Sequence, residues 1–294
     1  GDPGRLAVQP TLLAGPGGQV VVGALDLGQD LDTYQTRHEG RSGPPPAGPW
    51  QVILWRSTDG GATFGPAITV AGSVVPSQRV LIDLAPAPAF ALDPPRSRVY
   101  AAWETGRDVM VARSDDAGAS WSPPRRLGPS AGGQFLPGID IAPDGRVDVA
   151  YYDRSRDPDD VLAEVVLASS TDGARSFVDT VISERPFDSQ VGSFNGDDVM
   201  LGSHTAVISR AEDAVVVWPD TTRGNRTTNI VDLVSARVEI GSASGARVPL
   251  VAGGALLALA GLVASALSWR GRAARPDRRP ARRRAASPPP ALRG

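Results

Sequence analysis

Three short stretches gather side chains that can do chemistry: Trp103, Glu104 and Arg107; Tyr151, Tyr152, Asp153, Arg154 and Arg156; and Trp218, Asp220 and Arg223. Each puts an aromatic ring, a carboxylate and a guanidinium within six residues. That combination suits a sugar. Aromatics cover the apolar face of a pyranose, carboxylates hold hydroxyls or move protons, and arginine grips a carboxylate through two parallel hydrogen bonds. The same residue types at strand ends also cap loops or sit in water, where exposed pairs contribute little.

Composition narrows the chemistry. All 30 basic residues are Arg, so no Schiff-base or phosphate-binding lysine exists. With no Cys, disulfides, thiolate zinc sites, iron–sulfur clusters and cysteine nucleophiles are excluded. The only imidazoles are His38 and His204, and His204, near the start of an extended run, reads as structural. No G-x-S-x-G, H-E-x-x-H or G-x-G-x-x-G motif occurs, which removes the common hydrolase, zincin and dinucleotide signatures and leaves no expected cofactor. Asp157, Asp159 and Asp160 could bind calcium or simply be solvated, and no metal site is assigned.

The elements that must position these residues follow from repetition. STDGGATF (Ser57 to Phe64), SDDAGASW (Ser114 to Trp121) and STDGARSF (Ser170 to Phe177) share the pattern S-x-D-x-G-x-x-aromatic at spacings of 57 and 56 residues, with Ala174 replacing the Gly in the third. Each follows an extended apolar run (VILWRS, VMVARS, VVLASS), so each reads as the turn of a hairpin. Asp59, Asp116 and Asp172 accept backbone N–H bonds there, and Gly permits a positive φ. Upstream of the second and third lies a strand pair ending in an aromatic and an acid, in RVYAAWE and RVDVAYYD; the pair before the first, PTLLAG with QVVVGALD, lacks the aromatic, and HTAVIS with AVVVWPD forms a last one. The period predicts an all-β fold of four blades, each of up to four antiparallel strands, as in a β-propeller. Strand alternation puts the Asp turns on one face and the chemistry-bearing strand ends on the other. The polar loop from Gly28 to Pro49 is long enough to be a lid or an insertion.

The three turns resemble the Asp-box, or BNR repeat, of the sialidase superfamily, and the resemblance spans roughly Leu6 to Ile240. It implies a sialidase-like propeller, six-bladed in the family, so that two blades would precede Gly1 or this chain has departed from the pattern. It also implies an exo-sialidase type of glycosidase, in which a Tyr aided by a Glu attacks the anomeric carbon and an Asp protonates the leaving oxygen. By face geometry the candidates are Tyr152 with Glu104, and Asp153 as the acid. Arg154, Arg223, Asp220, Trp103, Tyr151 and Trp218 are the substrate-binding candidates. The family's F/Y-R-I-P motif is absent, which supports an alternative: a non-catalytic propeller serving as a protein- or glycan-binding surface platform. A lyase or hydrolase on another polysaccharide is a third reading. The expected partner is a glycan or glycoconjugate.

Charge and hydropathy suggest where such a domain would sit. After a short linker (241–247), residues 248–269 run VPLVAGGALLALAGLVASALSW without a charge, long enough to cross a hydrocarbon core of about 30 Å at roughly 1.5 Å per residue. From Arg270 to Gly294 there are nine Arg and one Asp; removing these from totals of 30 basic and 32 acidic leaves the body at net −10. An acidic body argues against nucleic-acid binding. The Arg-rich stretch should be a disordered cytoplasmic tail, with the 1–240 propeller outside and membrane lipid as a partner through the span. An outside body also requires an export signal, and Gly1 starts none. Protease treatment of intact cells should therefore remove an epitope within 1–240 and spare one placed after Arg270. Loss of both would show the orientation to be wrong.

Overall fold

The computed structural model describes residues 7–30, 48–75, 87–128, 132–195, 198–202 and 204–240. The expected linker, span and Arg-rich tail lie outside these, as do residues 31–47 of the expected lid. Among the described residues no helix is long and apolar enough to cross a membrane. The described residues all fall within one compact unit.

The described chain is a succession of antiparallel sheets. The first contains β1 (Ala7–Ala14), β2 (Val20–Asp26), β3 (Trp50–Ser57) and β4 (Ile68–Val74), in that order. The second contains β5 (Ala89–Asp93), β6 (Arg98–Thr105), β7 (Asp108–Ser114) and β8 (Arg125–Arg126). The third contains β9 (Gln134–Ile141), β10 (Val147–Asp153), β11 (Leu162–Ser170) and β12 (Val178–Val181), with β13 (Phe187–Asp188) paired to the other end of β11. After the hairpin of β14 (Ser193–Asn195) and β15 (Asp198–Met200), the last sheet has three described strands, β16 (Ala206–Ser209), β17 (Asp213–Asp220) and β18 (Asp232–Glu239). The first strands β1, β5, β9 and β16 adjoin one another in sequence, the arrangement of a propeller-like fold.

Stacking explains the sequence of the second strands. A strand covered on one face alternates apolar and polar residues, whereas one covered on both faces reads as an unbroken apolar run. Val99, Ala101 and Trp103 of β6 face the first sheet, with Trp50, Val52 and Leu54, while Tyr100 and Ala102 face the third. In β10 all seven residues are buried. Val147, Val149 and Tyr151 pack toward the second sheet, and Ala150 and Tyr152 pack toward Val216 and Trp218 of the last. Burying each large side chain contributes about 1.5–3 kcal/mol relative to leaving it exposed.

The three Ser-x-Asp turns are built alike. Ser57, Ser114 and Ser170 each donate a hydroxyl to the Asp two residues on (2.7, 2.7 and 2.8 Å) and accept the N–H of Gly61, Gly118 or Ala174. Each Asp also accepts both the N–H and the hydroxyl of the seventh residue, Thr63, Ser120 or Ser176. The fifth residue has φ of +88°, +91° and +64°, so Ala174 holds a left-handed conformation that glycine adopts without a Cβ clash. The first two turns dock on the neighbouring 1–2 turn of their own sheet: Gly60 N–H donates to Gly18 O (2.9 Å) and Ala117 N–H to Ser97 O (2.7 Å).

On this same face an arginine ties the third sheet to the last. Arg146 and Asp148, both buried, pair at 3.0 Å. The guanidinium also donates to the carbonyls of Arg210, Ala211 and Asp213, and Ser169 donates to Asp148 at 2.7 Å.

Two expectations follow. Arg146→Met should lower stability by about 3–5 kcal/mol, because it leaves Asp148 buried without its partner; urea unfolding measures it. The seventh-residue hydroxyl holds each turn Asp well below the usual carboxylate range. A depressed folded pKa gives stability present above the unfolded value of about 3.9 and lost as pH falls below it. Between about pH 4 and pH 2, Asp116→Asn should therefore lose less stability than the parent, read as proton uptake on acid unfolding.

Candidate functional site

The strand-end acids on the face opposite the turns are buried and bonded within the fold. Asp26, Asp153 and Asp220, ending the second strands of the first, third and last sheets, each accept the N–H two residues on, from Gly28 (3.0 Å), Ser155 (2.7 Å) and Thr222 (2.6 Å). In the second sheet Glu104 crosses to the next sheet and accepts the N–H of Leu136 at 2.6 Å. Trp218 donates its indole N–H to Asp220 at 3.3 Å.

The aromatic candidates lie in the core. Trp103, Tyr151, Tyr152 and Trp218 are all buried, and the reason is the stacking just described: a strand end between two sheets has no solvent face. Tyr152 stacks on Phe135 at 4.9 Å, and its hydroxyl donates to Pro219 O at 2.7 Å. Burial, with the charge of Asp220 beside it, pushes the Tyr152 phenol well above its ordinary value. The expectation that these rings cover a sugar differs from their position between sheets.

The arginines divide into separate groups. Arg154 lies 4.8 Å above the Phe135 ring, donates to Asp160 O at 2.9 Å and shares the Asp160 carboxylate with Arg107, which pairs to it at 2.9 Å. Arg107 is 65% exposed. Burial and the like charge of Arg107 push the Arg154 guanidinium down, while Asp160, Glu104 and Asp157 oppose this. The structure thus brings Glu104, Arg107, Arg154 and Asp160 together. Tyr152, Trp218 and Asp220 form a second, internal group, and Arg223 stands apart, exposed and facing Asp232 at 3.6 Å. Asp157 spends one carboxylate oxygen on the N–H groups of Val161 (2.8 Å) and Leu162 (2.7 Å). Among the described residues no group of three or more His, Asp or Glu side chains is gathered as metal ligands would be, and Asp160 is engaged in ion pairing.

The concave feature comes from residues that the sequence pattern does not flag. The first strands enclose a cavity of about 280 Å³ lined by Gln9 and Thr11 of β1, Phe90 of β5, Leu136 and Gly138 of β9, and His204 and Thr205 ahead of β16. Gly138 is required by close approach, since a Cβ there would stand 2.2 Å from Thr205 O. The volume is at the lower edge of small-ligand pockets, roughly 300–1,000 Å³.

No protein-family model and no curated protein matches the chain. Solved structures do. A protein of unknown function from Dyadobacter fermentans is 14% identical over 80% of this chain and 66% of its own, with a TM-score of 0.50. A Hadza microbial sialidase is 16% identical over 79% of this chain and 44% of its own, with a TM-score of 0.46. The Cellvibrio cellulosa alpha-L-arabinanase, solved with arabinohexaose, is 12% identical over 82% of this chain and 76% of its own, with a TM-score of 0.45. The chain therefore spans less than half of that sialidase. What the Dyadobacter match shows is a shared fold.

The internal bond of Tyr152 has a measurable consequence. Tyr152→Phe should cost about 0.5–1.5 kcal/mol, the net value of one hydrogen bond, or more because the Pro219 carbonyl loses its donor. A denaturant midpoint unchanged from the parent would show that the hydroxyl faces water.

Proposed function

We propose that the protein is an Asp-box propeller that binds glycans without hydrolysing them, displayed outside the cell by the 248–269 span. The observation that carries the reading is the bonding of the strand-end acids. Glu104 and Asp153 each receive a backbone N–H, and Tyr152 spends its proton on Pro219 O. A sialidase-type reaction through these residues would require Tyr152 to leave the core and the buried Glu104 and Asp153 to reach a substrate. Glycan binding requires none of this, and Gln9, Thr11, His204 and Thr205 supply polar groups around the cavity.

The ion pairing also bears on ligand class. Asp160 already faces both Arg107 and Arg154, so a ligand carboxylate would have to displace it. Neutral sugar hydroxyls can instead bond to the outer edge of the pair, in which Arg107 remains largely exposed. The arginines thus favour a neutral glycan over the acidic one that their presence in the sequence suggests.

A glycan array containing neutral and sialylated oligosaccharides tests this. Neutral glycans should bind at least as tightly as their sialylated forms, and Arg107→Ala should weaken that binding by about 10- to 100-fold, the scale of one hydrogen bond to a charged group. Release of aryl alcohol from an aryl sialoside, lost in Tyr152→Phe, would overturn the non-catalytic reading.

A further inference from the structure

The loop that follows β10 brings a carboxylate of its own to the arginines of the mouth. Its return to β11 is pinned by Asp157, whose side chain accepts the N–H groups of Val161 (2.8 Å) and Leu162 (2.7 Å) and whose carbonyl accepts the N–H of Asp160 at 3.1 Å. Arg154 closes the loop from the other side by donating to the Asp160 carbonyl at 2.9 Å. Asp160 is held with φ of +55°, a left-handed conformation in which Asp and Asn are enriched among residues that carry a Cβ. Its carboxylate is thereby delivered between Arg154 and Arg107, which stands in the turn between β6 and β7 of the second sheet.

The fit is incomplete. One oxygen serves both guanidinium groups: Asp160 Oδ1 lies 2.9 Å from Arg107 Nη2 and 3.6 Å from Arg154 Nε. The longer contact is outside hydrogen-bonding range, and the Arg154 Nε–H is buried without an acceptor. Guanidinium and carboxylate pair best when both oxygens are used, and Asp160, tied into its loop, uses one. What keeps it there is attachment to the chain, which acts as a high effective concentration. Of the neighbouring carboxylates, Glu104 accepts the N–H of Leu136 and Asp157 accepts those of its own loop. Among the described residues it is Asp160 that bridges the two arginines.

We infer that Asp160 is an internal counter-ion standing where a ligand carboxylate would stand, and that this one side chain sets the mouth against acidic glycans. The inference deepens the neutral-glycan reading by naming the residue that enforces it. An acidic sugar is opposed twice, since it must displace the Asp160 carboxylate and then meet its charge at close range, whereas a neutral hydroxyl meets neither obstacle. Specificity here comes from a repulsive element built against the wrong ligand.

Asp160→Asn removes the charge while keeping the side-chain shape and a residue suited to the left-handed backbone. Its affinity for a sialylated oligosaccharide, measured by titration calorimetry, should exceed that of the parent by about 10- to 100-fold, the scale of one hydrogen bond to a charged group. The gain should vanish when the sialic acid carboxyl is converted to its methyl ester, and it should vanish in the double variant Asp160→Asn with Arg107→Ala. A merely loosened loop would produce neither result. Equal affinity of parent and Asp160→Asn for the sialylated ligand, a gain shared by the methyl ester, or a gain that survives the loss of Arg107 would each overturn the inference. The comparison is made on the acidic ligand and so separates the two readings: a parent that binds no neutral glycan, beside a variant that gains the sialylated one, overturns the neutral-glycan reading and leaves Asp160 as the counter-ion. Should Asp160→Asn lower the melting temperature, Asp160→Gly carries the same comparison, because glycine takes a positive φ without a Cβ clash.

Discussion

A backbone N–H that turns inward where stacked sheets meet has no water to bond to, and leaving it unpaired costs about 1–3 kcal/mol. In this protein a carboxylate at the end of each second strand meets that need. Asp26, Asp153 and Asp220 do so within their own loop and Glu104 does so across to β9. The loops of one face are held in place by these bonds, and Arg154 and Arg107 take their positions from the loops. Acids that look like reagents in the sequence are the supports on which the mouth is built.

The opposite face solves the same problem with hydroxyls and arginine. Ser and Asp close each turn internally. Arg146 then spans the joint between the third sheet and the last, satisfying three carbonyls and one buried carboxylate together. An ion pair so enclosed gains little over well-packed apolar side chains, but removing one partner exposes the full desolvation cost of the other. That asymmetry fixes the joint to one arrangement. The two faces therefore differ in character: one is closed on itself, while the other retains a cavity and an exposed guanidinium.

Much of the architecture is legible in the sequence because its signals are local and repeated. The turns at Ser57, Ser114 and Ser170 and the hairpins around them follow from an eight-residue pattern recurring at a nearly constant interval, and the last sheet follows from the strand pair HTAVIS and AVVVWPD, while the β14–β15 hairpin carries no such signal. The site is less legible, and the reason is physical. A second strand buried on both faces loses its period-two alternation, so nothing in RVDVAYYD distinguishes a tyrosine aimed at solvent from one packed between sheets. An acid two residues before an amide, likewise, reads the same whether it binds a ligand or its own loop. Some signals were present without being decisive: a hydroxyl stands at the seventh position of all three turns, and Pro137 with Gly138 marks the close approach that shapes the cavity. The partnership of Arg154 with Phe135 joins the loop after β10 to β9, which spacing alone does not reveal.

The outer edges of the sheets have a consequence for self-association. β4 is kinked by register shifts against β3, β8 consists of two exposed arginines, and β12 is four residues long. Each offers a poor template for another strand. β18 is different, with eight residues in unbroken register against β17 and no described strand on its far side. Among these outer edges it is the one with a long regular ladder to offer. Strand-to-strand assembly of the described domain would therefore start there.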